Sequence, residues 1–103
     1  MTAEDSSVRK ALAVVWRDDG PMDRFRDGVF RQEDADEVLE ALKALPDYGT
    51  ARLSQDEVRL LWYMPTFLGF QDERIVERSG VTIPYAHFRT QALNEVVRVL
   101  GMP

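Results

Sequence analysis

Leu60–Phe70, LLWYMPTFLGF, is the most apolar run of the chain and carries no charged residue. A bilayer span needs about 20 residues, so the run is too short to cross a membrane and reads as a buried core helix. Its start is marked upstream. Ser54 with Glu57 three residues later forms a capping box, and Leu53 with Val58 has the spacing of a hydrophobic staple. Pro65 lacks an N–H and disfavours helical angles at Met64, which predicts a kink or break there. Gly69 suits a C-terminal cap. Apolar side chains point all round this helix, so other helices must cover it on more than one side.

The 103 residues suit one domain, 1–103, with one core. Hydrophobic content of 45% and charged content of 30% argue for a folded chain rather than a disordered one. Without cysteine there is no disulfide framework and no thiolate metal site, which fits a reducing cytosol. The apolar piece Ala11–Trp16 runs into Arg17-Asp18-Asp19 and is shorter than a signal-peptide core. No targeting segment and no membrane span is expected, and the expected location is cytoplasmic. The net charge of −5 lies in the first half, where residues 1–50 hold 12 acids against 7 bases. Residues 51–103 hold 6 of each. An acidic front half repels phosphates and favours a basic partner, and it also serves plain solubility.

Working outward, Ser6 or Ser7 can cap a first helix over Val8–Arg17, with Val8, Ala11, Leu12, Val15 and Trp16 on one face. Gly20 suits a left-handed cap and Pro21 the first position of a second helix holding Met22, Phe25 and Val29. Asp34 and Glu37 mark the start of a third helix with Ala35, Val38, Leu39, Leu42 and Leu45 inward, ended by Pro46. A short pairing of Gly28–Arg31 with Thr50–Leu53 is conceivable. Residues 71–79 form a further helix with Ile75 and Val76 inward, and Gly80 turns the chain. Val81-Thr82-Ile83 reads as extended, and Pro84 opens a last helix to about Leu100. Its expected inward set is Ala86, Leu93, Val97 and Leu100, widened by Phe88, Ala92 and Val96. The fold class is therefore all-α: five or six short helices around a kinked central apolar helix.

Catalytic equipment is missing from the sequence. His87 is the single histidine, and neither Ser54 nor Ser79 sits in a nucleophile motif. Asp18, Asp19 and Asp23 lack calcium-loop spacing, and the glycines are too scattered for a phosphate loop. No enzyme activity, cofactor or metal is expected. The binding candidates are Asp36, Glu37 and Glu40 on the outer face of the third helix, which suit Arg or Lys of a partner. Trp16 or Phe70, if exposed beside those acids, would be an interface anchor. The leading expectation is a small acidic protein that binds a partner protein with a basic surface, of the inhibitor, immunity, antitoxin or adaptor kind.

Residues 72–91, DERIVERSGVTIPYAHFRTQ, resemble the helix-turn-helix of sigma-factor region four and response-regulator output domains. Ile75, Gly80 and Val81 match the apolar, turn-glycine and apolar positions, and the helix from Ser54 completes a trihelical unit. Ser79, Ala86 and Arg89 depart from the family's apolar pattern. The resemblance implies a DNA-binding regulator as the alternative function. Pro84–Asn94 would then be the recognition helix, with Tyr85, His87, Arg89, Thr90, Gln91 and Asn94 toward bases and Arg74, Arg78 and Arg98 near phosphates. Residues 74–103 carry 4 arginines and 2 acids, a thin basic balance for that role.

Overall fold

The computed structural model describes residues 7–49, 52–80 and 82–101. Six helices follow in order: α1 Ser7–Val15, α2 Pro21–Arg26, α3 Gln32–Lys43, α4 Gln55–Phe70, α5 Asp72–Ser79 and α6 Ile83–Leu100. No strand occurs among the described residues. Thr50 and Ala51 of the conceivable strand pair, Val81 of the expected extended segment, and Ser6 as a cap lie outside the described residues. Gly28–Arg31 is irregular, and Ser7 is already helical.

The capping box at α4 forms in both directions. Ser54 Oγ accepts from the Glu57 amide at 3.1 Å, and Glu57 Oε1 accepts from the Ser54 amide at 2.8 Å. The expected break does not occur, because α4 runs continuously through Pro65 and Gly69 to Phe70. A proline inside a helix costs about 3 kcal/mol. Leu61, Met64, Phe67 and Leu68 are buried on both sides of Pro65. At roughly 1.5–3 kcal/mol per large apolar side chain, keeping that face continuous outweighs the lost hydrogen bond. Gly69 is not a cap. A Cβ there would lie 3.1 Å from Arg89 Nη2, so the glycine lets the arginine lie across the helix.

The longest helix of the bundle is α6. It packs on α3, α4 and α5, while α1 packs on α3 and α4, and α2 on α3. Its buried stripe is Tyr85, Phe88, Ala92, Val96, Val99 and Leu100. The expected inward set is thus rotated: Ala86 and Leu93 are exposed and Val97 is half-buried. Tyr85 decides the register. Its ring joins Phe25, Phe30 and Phe88 in a cluster with centroids 5.3 to 6.2 Å apart. Its hydroxyl reaches a main-chain acceptor, so a whole tyrosine can be buried without an unpaired polar group.

Smaller corrections have local causes. The left-handed residue between α1 and α2 is Asp19, at φ 58°, whereas Gly20 is extended and caps α2, with Pro21 behind it as expected. Asp34 does not cap α3. Arg31 holds that position without a side-chain bond, and Asp34 is buried. Its carboxylate takes two hydrogen bonds of 2.7 Å from Arg24 Nε and Nη2. Val76 of α5 is exposed, and Ile75 alone faces inward on that helix. Gly80 ends α5 at φ 67°, and Ile83 rather than Pro84 is the first residue of α6.

Candidate functional site

The outer acids of α3 are divided between two sides of the helix. Glu37 faces α1, where Arg17 Nη1 and Nη2 both donate to its carboxylate. That bonding, with the attraction of the guanidinium, holds the Glu37 carboxyl below its usual range. Asp36 and Glu40 face α6 instead. With Gln32, Leu39, Lys43 and Gln91 they line a groove of about 510 Å³. Asp36 accepts from Gln32 Nε2 at 3.0 Å, and neither acid has an ion-pair partner among the described residues. Of the candidate trio, Glu37 bonds Arg17 just beyond α1, while Asp36 and Glu40 share the groove. An arginine twenty positions away in sequence had claimed Glu37, and helical spacing alone carries no sign of that.

Trp16 lies elsewhere. It is half-buried at the end of α1, stacked on Tyr63 of α4 at 5.7 Å and meeting Phe67 edge-on at 4.7 Å. Arg26 sits over the Phe67 ring at 5.6 Å. Trp16 thus belongs to an aromatic group with α4, apart from the groove lined by Asp36 and Glu40. Phe70 is 74% exposed at the end of α4, and Ile83 is 79% exposed at the start of α6.

The DNA-contact candidates scatter. Tyr85 is fully buried, its hydroxyl donating to the Leu68 carbonyl at 2.6 Å, and burial pushes its phenol pKa up. His87, Thr90 and Asn94 are exposed, Arg89 and Gln91 half-buried. Thr90 Oγ1 donates back to the Ala86 carbonyl. Arg74 and Arg78 donate to the carbonyls of Arg26 and Asp27 at 2.6 and 2.8 Å, closing the C-terminal end of α2. Arg98 bonds Glu95, Asp47 and the Leu42 carbonyl at the end of α3. Arg89 pairs with Asp72 at 3.5 Å. Each of the four arginines thus has partners within the fold. Ser79, a departure from the helix-turn-helix pattern, donates to the Gly28 carbonyl at 2.8 Å and accepts from the Phe30 amide at 3.2 Å.

His87 makes no side-chain hydrogen bond among the described residues, and no group of three or more acids and histidines there could hold a metal. No helix among them is long and apolar enough to cross a membrane. The surface that sequence reasoning missed is the outer stripe of α4, Asp56, Arg59, Leu60 and Tyr63. Their i, i+3, i+4, i+7 spacing, with charges at two positions, was the available signal for a solvent-facing edge.

Against known proteins, the chain matches no family model, no curated protein and no solved structure. A functional reading therefore rests on its own residues.

Proposed function

We propose that this protein works by binding another protein, and that the groove between α3 and α6 receives a basic segment of that partner. One observation carries the reading: Asp36 and Glu40, one helical turn apart, line the same groove and have no ion-pair partner among the described residues, while Asp34 and Glu37 have one; Lys43 at the groove's edge leaves the lining one negative charge in excess. A guanidinium or ammonium entering there would meet two carboxylates, with Gln32 and Gln91 as further polar partners. A chain of net charge −5 adds long-range attraction to a basic surface and speeds encounter.

The test is affinity capture with the intact protein and with the Asp36→Lys, Glu40→Lys double variant, read by mass spectrometry and then by binding kinetics. The expected result is a basic partner whose capture falls on charge reversal and with added salt, chiefly through a slower on-rate. A partner held equally well by both forms would remove this groove from the reading.

A DNA-binding role is the second reading. It draws support from the succession of α5, a left-handed Gly80 and a long α6 with His87, Thr90 and Asn94 on its outer side. Internal pairing of the four arginines weighs against it, since duplex affinity depends on cations that neutralise phosphates. Absence of binding to duplex DNA at about 50 mM salt, where phosphate contacts are strongest, would dispose of it.

A further inference from the structure

Among the described residues, one side of α4 remains uncovered despite its apolar sequence. Asp56, Arg59, Leu60 and Tyr63 share a face of the helix and, with Arg9 of α1, line about 640 Å³ of open space. Leu60 is 39% exposed and Tyr63 51%. The tyrosine is not a loose side chain. Its ring stacks on Trp16, and Trp16 is braced by the buried Phe67. An aromatic ring held in this way loses little freedom when a partner covers it. The charges are unequal. Arg9 pairs with Asp56 at 3.6 Å, whereas Arg59 has no ion-pair partner among the described residues. An uncompensated cation therefore stands beside an aliphatic and aromatic wall, in a protein that is acidic as a whole.

We propose that this α1–α4 cleft docks an acidic segment of a partner protein, seating one apolar side chain against Leu60 and Tyr63 and one carboxylate on Arg59. The sign of the charge selects this occupant. A basic segment would be repelled by Arg59, and a wholly apolar one would cover the guanidinium without pairing it, a costly arrangement. Tyrosine, tryptophan and arginine together are also the side chains that carry most of the energy at protein interfaces. The cleft is distinct from the α3–α6 groove in its helices and opposite to it in charge, so the two proposals stand or fall separately.

The experiment selects phage-displayed random peptides on the intact protein and measures synthetic copies of the enriched sequences by fluorescence polarisation. The expected peptides carry Asp or Glu next to Leu, Phe or Trp. Arg59→Glu and Tyr63→Ala should each weaken them about tenfold or more, whereas Arg59→Lys keeps most of the affinity. Both substituted side chains are exposed at the cleft, and circular dichroism of each variant verifies its fold before binding is read. Failure to enrich any peptide, enrichment without acidic residues, or equal binding by folded Arg59→Glu protein would each overturn the proposal. So would a concentration-dependent dimer in light scattering that Arg59→Glu abolishes, because the cleft would then belong to a second copy of this chain.

Discussion

The hydroxyl of Tyr85 donates to the carbonyl of Leu68 at 2.6 Å, tying the first turn of α6 to the last turn of α4 inside the core. Tyr85→Phe keeps the ring and removes the donor. It should destabilise by about 1 kcal/mol, or more if the carbonyl is left dry, whereas Tyr85→Ala should cost about 3–5 kcal/mol. Urea titrations measure both, and for a domain of this size the smaller change lowers the melting temperature by about 4–8 °C.

Pro65 deprives the Leu61 carbonyl of its usual helical donor. Pro65→Ala restores that N–H within an already helical backbone, and it should stabilise by about 1–3 kcal/mol, partly offset by a more flexible unfolded chain. A raised denaturation midpoint with an unchanged slope is the expected record.

Asp34 is buried beneath Arg24, which still reaches solvent, and the carboxylate holds the arginine's pKa above its ordinary value. Arg24→Met leaves the acid without its cation and should cost about 2–4 kcal/mol. The Asp34→Asn, Arg24→Met double variant should lose less than the sum of the single losses, as a double-mutant cycle will show.

Glu37 contributes a pH dependence of known sign. Its folded pKa lies below the unfolded value because Arg17 bonds it. The stability it adds is therefore present above the unfolded carboxyl pKa of about 4.3 and fades as pH falls through the folded pKa. The pair is partly exposed, so solvent screening keeps the effect small. Glu37→Gln should flatten the fall in melting temperature as pH drops below the unfolded carboxyl value, relative to the parent protein.

Two glycines with positive φ separate steric from conformational cost. Gly28 has φ 82°, and a Cβ there would sit 2.8 Å from the Arg74 carbonyl oxygen. Gly80 has φ 67° and nothing within 4 Å. Gly80→Ala should cost about 1–2 kcal/mol, and Gly28→Ala distinctly more, because backbone must move as well. Equal losses in chemical denaturation would contradict the close approach of α5 to this turn.

The helical class and the α4 capping box were legible because both arise from residues three or four apart. The core face of α1 and the inward residues of α3 were legible for the same reason. The rotation of α6 was not. Tyr85 has a polar tip, and only the position of Leu68 shows that the tip is satisfied inside. Continuity through Pro65 was hidden likewise, since the burial that offsets it comes from other helices. For the candidate site, Asp36, Glu37 and Glu40 looked equivalent in sequence. The fold separates them through Arg17, and it moves Trp16 into company with Tyr63 rather than with the acids.

Arg74 and Arg78 close main-chain oxygens 48 and 51 positions earlier in the chain. The last three helices are therefore not a detachable module. Severed after α3, they would lose the acceptors that orient two of their arginines, and those side chains would swing free. A polyanion that bound the severed piece would meet two arginines that the intact molecule ties to its own main chain.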